Sequence, residues 1–319
     1  MKSEMLSCTA AAQCSTANLG PGFDVFGLGL DAFEDLVTIT RSSNKLGEIN
    51  VRISGEHCER IPCRTSDNSA GLVIKKMSKD FYIDYSLDVD VIKRVPTGFG
   101  LGSSAASAAA AAIAFDKLFN LNLQKTKLVE FSAEGEIASA GIKHYDNVAA
   151  SIFGGFVIVK KLPKLEVINV EPPRDLVLVV AVPIITIPER KTEVSRRVLP
   201  TEVSLENVVH NVANASIVVA GFVLQDIEII AKGIDDIIVE PARMHLVPGY
   251  REVKKNAVGA GALAVTISGA GPSMISFLKG EKVAKSVAKA MEAGYKDAGI
   301  QCRTIICHPS HGSRIIDIK

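Results

Sequence analysis

Between Arg94 and Ala112 the chain reads RVPTGFGLGSSAASAAAAA, and no other stretch restricts the possible folds as much. Ahead of it Leu87, Val89 and Val91 alternate with Asp88 and Asp90, the period-two pattern of a strand. Pro96 ends that run, Gly98, Gly100 and Gly102 form a loop, and the alanines after Ser103 and Ser104 favour a helix. A strand, a glycine loop and a helix start in that order form an anion cradle. Glycine enters left-handed backbone and lets a ligand approach the main chain closely. The unpaired amides of the first helical turn, reinforced by the helix dipole, point at negative charge. The expected anion is phosphate.

Charge and length narrow the partner. The 36 basic and 35 acidic residues nearly cancel, so the broad positive field of a nucleic-acid binder is missing, and small substrates are expected with no nucleic-acid partner. At 319 residues the chain exceeds most single cores, and length suggests about two domains. The longest apolar run, LVLVVAVPIITI from Leu176 to Ile187, is broken by Pro183 and falls short of the roughly 20 residues a membrane helix needs. It is expected to be a buried strand, with no membrane partner. The N-terminus lacks a basic stretch followed by an apolar core and a small-residue cleavage site, so a cytoplasmic location is expected. Cys8, Cys14, Cys58, Cys63, Cys302 and Cys307 include no CxxC and are too dilute for a disulfide framework; free thiols are expected.

Along the chain, strands are expected at Leu6 to Cys14, Asp35 to Thr40, Ile49 to Ser54 and 87–95, with TANLGPGFDVFGLGL as a glycine-rich turn after the first. Helices are expected from Asp67 to about Phe81, over 103–119, and from Gln124 to Ala140. Gly154 and Gly155 open another strand, and composition changes near Pro163, which divides the chain into units 1–163 and 164–319. Beyond it, strands are expected at Leu176 to Val182, Leu263 to Ser268, Met274 to Leu278 and Gln301 to Cys307, and helices at Leu205 to Val223 and Glu281 to Ala298. Strands and helices in no simple βα alternation argue for an α+β fold.

The glycine loop differs from its better-known relatives. A Walker A loop carries lysine directly after its last glycine, whereas here the next lysine, Lys117, lies well into the helix. A dinucleotide fingerprint places glycine where this chain has Ser103. A lone glycine loop can also be a tight turn, but two further glycine segments accompany this one. STANLGPGFDVFGLG places Asn18 and Asp24 after a strand, as turn formers or as ligands. VTISGAGPSMISF reads as strand, turn and strand, a hairpin or part of a site.

With these three segments the chain resembles the GHMP kinase family, named for galactokinase, homoserine kinase, mevalonate kinase and phosphomevalonate kinase. PTGFGLGSSAAS is similar to the family's phosphate loop, and ISGAGPS to its C-terminal glycine motif. The resemblance is closest to homoserine kinases, carried by CSTANLGPGFDVFGLGL, by GEIASAGIKHYDNVAASIFGG at 135–155, by TEVSRRVLP at 192–200 and by VEPARMHLVP at 239–248. It implies a two-domain α+β subunit, ribosomal S5 domain 2-like at the N-terminus and ferredoxin-like at the C-terminus, assembled as a homodimer. It implies transfer of the γ-phosphate of ATP, with Mg2+, to the side-chain hydroxyl of L-homoserine, giving O-phospho-L-homoserine for threonine synthesis. A mevalonate, shikimate or pantoate acceptor, or a nucleotide-binding protein without kinase activity, are the competing readings.

Residue by residue, the resemblance puts ATP against Pro96, Thr97, Gly98, Phe99, Gly100, Leu101, Gly102, Ser103, Ser104, Ala105 and Ala106, with Asn68 a candidate adenine-side contact. It assigns Ser104 and Glu136 to magnesium, although on its own Glu136 reads equally as a solvated helix-face carboxylate like Glu130 or Glu134. Arg196 and Arg243 match carboxylate-side arginines, a task suited to a guanidinium fork, and Arg197 leaves the first assignment one residue open. Asp24 serves the ammonium or the hydroxyl, and Asn18, His144, Asn147 and Thr192 complete the substrate pocket. Asp24, Asn147 and Arg196 are the expected catalytic positions. No residue is an obvious strong base, so positioning is expected to outweigh base catalysis unless burial raises the pKa of Asp24.

Overall fold

The computed structural model describes residues 5–42, 47–56, 58–188 and 191–319. The first part of the chain forms β1 (Ser7–Asn18), β2 (Gly22–Ser42), β3 (Ile49–Gly55), α1 (Ser69–Asp80), β4 (Ser86–Lys93), α2 (Ser103–Leu118), α3 (Lys125–Ala140), α4 (Tyr145–Phe153), β5 (Phe156–Lys160) and β6 (Glu166–Val170). The remainder forms β7 (Leu176–Pro183), α5 (Lys191–Arg197), α6 (Leu205–Val223), α7 (Ile227–Gly233), α8 (Val239–Arg243), α9 (Tyr250–Gly259), β8 (Ala264–Ile267), β9 (Met274–Lys279), α10 (Ala284–Asp297), β10 (Cys302–Cys307) and β11 (Arg314–Ile318).

Two sheets organise these elements, as an α+β fold requires. A seven-stranded sheet runs β11-β1-β2-β4-β3, with β5 on the first half of β2 and β6 on β5. The alanine tract explains the packing on its face. Ala105, Ala108 to Ala112 and Ala114 are fully buried, and residues this small let α2 lie close against β1 and β2 while α1, α3 and α4 crowd its other sides. The second sheet, β10-β7-β9-β8, is antiparallel throughout. Its central strand β7 is buried at every residue, as the unbroken apolar run predicts. Leu176, Leu178 and Val180 face a core shared with the first sheet, whereas Val177, Val179 and Ala181 face α9 and α10. Phe156 of β5 stacks on Phe222 of α6, with centroids 3.9 Å apart and planes within 6°, which ties the two layers together. No described helix is long and apolar enough to cross a membrane.

Several elements differ from the sequence expectation. The glycine-rich segment after β1 is largely strand, and its turn is confined to Leu19, Gly20 and Pro21. Asn18, Leu19 and Asp24 take positive φ there (74°, 48° and 59°), a conformation costly for residues with a Cβ and imposed by the surrounding packing. The elements α4, α5, α7, α8, α9, β6 and β11 were not expected; each of these helices spans ten residues or fewer, under three helical turns, too little for a 3.6-residue period to stand out. Residue 163 falls in the turn joining β5 to β6, and both β6 and the C-terminal β11 lie in the first sheet. A hairpin satisfies its main-chain groups by pairing across the turn, so sheet membership does not follow chain position at that point. All six cysteines are free thiols.

Candidate active site

The three glycine segments, far apart in sequence, meet. Gly98, Gly100 and Gly102 are all left-handed, with φ of 86°, 78° and 64°, and the loop they make is clamped from two sides. The Ser15 amide donates to the Leu101 carbonyl (3.1 Å) and the Ser273 amide to that of Phe99 (3.3 Å). The Ser268 hydroxyl donates to the Gly100 carbonyl (2.8 Å). Asn18 closes the triangle by donating from Nδ2 to the Gly269 carbonyl (2.8 Å). The fit requires glycine: a Cβ on Gly100 would lie 2.2 Å from the Ser268 carbonyl oxygen.

Behind the loop the main chain is fixed by a buried charge. Lys93 and Asp35, 2% and 0% exposed, form an ion pair. The Lys93 ammonium also donates to the Ser103 carbonyl and the Ser107 hydroxyl, both at 2.8 Å. Asp35 accepts from the amides of Arg94 (2.9 Å) and Val95 (3.0 Å). These bonds set where β4 ends and α2 begins, and so where the loop opens. Ser103 turns inward, donating to the Val95 carbonyl at 2.9 Å, and both it and Ser104, one residue on, line the cavity.

That cavity, about 1280 Å³, is large enough for a nucleotide and a small acceptor side by side. Residues 96–104 and the cap of α1 line it. Asn68 is that cap, accepting from the Gly71 amide (3.1 Å) and donating to the Pro62 carbonyl (3.0 Å). Ala105 and Ala106 are buried in the helix behind the loop, and their amides lie in the first turn of α2. The same cavity is lined by Asn18, Asp24, Glu136, His144, Asn147, Thr192, Arg196 and Arg243, which with Ser104 are the substrate- and metal-side residues expected from the sequence.

Their contacts separate residues that the sequence left equivalent. Glu130 and Glu134 pair with Lys127 and Lys143, each at 2.6 Å, whereas Glu136 is buried, its Oε2 3.5 Å from His144 Nδ1. Arg197 is exposed and pairs with Glu193. Arg196 instead turns inward and donates from Nη2 to both Asp24 carboxylate oxygens, at 2.8 and 2.9 Å. Its Nε also donates to His144 Nε2 at 3.3 Å. A guanidinium cannot accept, so His144 Nε2 is the acceptor and Nδ1 carries the ring proton toward Glu136. His144 therefore links the Glu136 carboxylate to the Arg196 guanidinium. Arg243, buried at the end of α8, donates to the carbonyls of Ser195 (3.1 Å) and Gly269 (3.3 Å). Both arginines lie by the Phe23 ring, 5.4 and 5.1 Å from its centroid. Asn147 accepts from the Ser15 hydroxyl at 3.0 Å.

Burial pushes the Asp24 carboxyl up, but the hydrogen bond and charge of Arg196, joined by Lys161 at 3.2 Å, hold it below the ordinary carboxylate range. Burial and the Arg196 charge bring Arg243 down to about 10. Asp146, buried in the cavity wall beside Asn147, is raised by burial and by the Asp24 charge. Lys161, Asp146 and Lys191 went unrecognised in the sequence. Asp146 and Lys191 flank named residues, Asn147 and Thr192, but adjacency does not say which way a side chain points.

Ser104 and Glu136 offer a hydroxyl and a carboxylate to the same space, a hard oxygen set suited to magnesium. Among the described residues no group of three His, Cys, Asp or Glu forms a metal cluster. This fits an ion that takes most of its ligands from phosphate and water.

Comparison with known proteins agrees with this arrangement. The family model for the GHMP kinases N terminal domain matches residues 68–155, and that for the GHMP kinases C terminal domain matches 218–297. The chain is 40% identical over 270 residues to a homoserine kinase of Methanococcus maripaludis, covering 84% of this chain and 87% of that one. A homoserine kinase of Saccharolobus solfataricus is 40% identical over 266 residues, with coverage of 83% and 84%. The crystal structure of homoserine kinase from Cytophaga hutchinsonii superposes with a TM-score of 0.92 at 31% identity, covering 99% of both chains. With its glycine segments joined around one cavity and this likeness running through nearly its whole length, the chain belongs to the GHMP kinase family, on its homoserine kinase branch.

Proposed function

We propose that this chain transfers the γ-phosphate of ATP to the side-chain hydroxyl of L-homoserine, producing O-phospho-L-homoserine for threonine synthesis in the cytoplasm. The observation that carries the reading is a single cavity lined both by the glycine loop and by the Asp24, Arg196 and Arg243 charges. Phosphoryl transfer asks a protein for charge neutralisation and in-line positioning and for little covalent work. Homoserine, a zwitterion, asks for cations and a carboxylate close together. Arg243 and the outward edge of Arg196 suit the amino-acid carboxylate, while Asp24 suits the ammonium.

Asn147, held by Ser15, presents its side-chain amide toward the acceptor hydroxyl, and Asn18, Thr192 and His144 shape the pocket around it. Asp24, ion-paired to Arg196 and Lys161, is a weak proton acceptor, so it orients the substrate and the alcohol proton leaves late, toward the phosphoryl oxygens. When bound by Ser104 and Glu136, magnesium supplies charge neutralisation of the phosphates. A homodimer is part of the proposal, supported by the exposed apolar residues Leu205, Val209, Val212 and Val223 on α6.

The test is ADP release measured over a panel of alcohols. Turnover with L-homoserine and none with mevalonate, shikimate or pantoate supports the reading; ATP binding without turnover of any acceptor overturns it.

A further inference from the structure

The phosphate loop has no lysine of its own, and the one at its base, Lys93, is occupied by Asp35 and two further acceptors. The triphosphate nevertheless needs cationic neutralisation as the bridging oxygen departs. Of the cations in the cavity wall, Arg196 is held by Asp24 and Arg243 by two carbonyls over Phe23, while Arg60 and Arg303 are exposed, the first donating to the Ile187 carbonyl and the second lying over Phe33. Lys191, the first residue of α5, is placed differently. It lines the cavity, and its ammonium donates to the Gly271 carbonyl. That carbonyl oxygen lies 2.8 Å from the position of a Cβ on Gly100, so the ammonium sits where the GAGP turn presses on the middle of the phosphate loop. Among the described residues no carboxylate forms an ion pair with it.

We infer that Lys191 is the phosphate-side cation of this site, supplied by a distant helix in place of a loop lysine, and that it contacts the γ-phosphate during transfer. This rests on the ATP-dependent kinase reading above. In the transfer, the bond from γ-phosphorus to the departing ADP oxygen breaks as the bond to the acceptor oxygen forms. The acceptor proton passes through a phosphoryl oxygen to solvent, and Lys191 contributes charge without forming a covalent bond.

The surroundings favour the role. Burial and the neighbouring Arg243 charge bring the Lys191 ammonium down to about 7. The charged group facing it is Arg243 from α8. A weakly solvated cation beside another cation gains most when an anion arrives.

Binding and rate together test this. Lys191→Met is expected to weaken binding of a non-hydrolysable ATP analogue by about tenfold or more while leaving ADP binding within about twofold. It is expected to lower kcat/KM for ATP by about 10²-fold, the usual effect of losing one preorganised charge-stabilising donor. Preserved ADP binding doubles as evidence that the variant is folded. Wild-type kcat/KM for ATP should fall as pH rises through about 7, since the charged form is lost in that direction. Lys191→Arg, charged throughout, should remove that fall and recover most of the rate. Equal weakening for ADP and the ATP analogue, or an unchanged pH profile in Lys191→Arg, overturns the inference. A wild-type protein that binds the analogue in a Lys191-dependent way but turns over no homoserine overturns the acceptor reading and leaves this one standing.

Discussion

Asp24 illustrates how a single carboxylate is assigned a task by its neighbours. Burial alone would make it a better proton acceptor, but two hydrogen bonds from Arg196 and the charge of Lys161 more than offset burial and hold it below the ordinary value of 3.8. Because the folded-state pKa is depressed, the stabilisation from this charge is complete above the ordinary value and lost as pH falls through the lower one. No inflection from Asp24 should therefore appear in kcat between pH 5 and 9. Asp24→Asn should raise KM for homoserine by tenfold or more, because it removes the ammonium partner and releases Arg196. Its kcat should fall only a few-fold, and a loss above about 10³ in kcat at saturating homoserine would reinstate Asp24 as an essential base. The type of residue needed here was legible in the chain. Which of Arg196 or Arg197, and which of Glu130, Glu134 or Glu136, faces the cavity was not legible from the residues alone. Neighbouring side chains on a helix point in different directions, and only the packed partner identifies the inward one.

Among the elements, the glycine loop was the most legible and the turn after β1 the least. Three glycines at alternate positions announce left-handed backbone, and 98, 100 and 102 all adopt it. Asn18, Leu19 and Asp24 adopt it as well without any such announcement, because contacts with distant segments impose it. The loop's glycines are nevertheless unequal. A Cβ on Gly100 meets main-chain oxygen at 2.2 Å, whereas on Gly98 the nearest atom is a methyl of Ile187 at 2.7 Å, which can rotate away. Gly100→Ala should destabilise the fold by about 1–3 kcal/mol and abolish measurable ATP binding; Gly98→Ala should be milder in both. Denaturant unfolding with nucleotide titration of the two variants checks the order, and equal effects would contradict it.

Across the whole molecule, α6 turns one side to Phe156 and leaves Leu205, Val209, Val212 and Val223 exposed on another. If that face holds the dimer, Val209→Asp should yield monomers by light scattering, with the melting transition of the subunit itself little changed; a wild-type monomer would remove the dimer from the proposal. Sequence by itself determined the local grammar: a strand, glycine loop and helix start for an anion, a strand buried on both faces at Leu176 to Val182, and an alanine helix able to lie against a sheet. These are properties of short segments, set by backbone freedom and side-chain period. Tertiary structure alone decided that three glycine segments separated by up to about 250 residues close one site, and that Lys93 is neutralised at its base. It also brought Lys191 to the loop, and returned β11 to the first sheet. Those outcomes depend on hydrogen bonds and charges between distant parts of the chain, whose partners are set by how the two sheets pack.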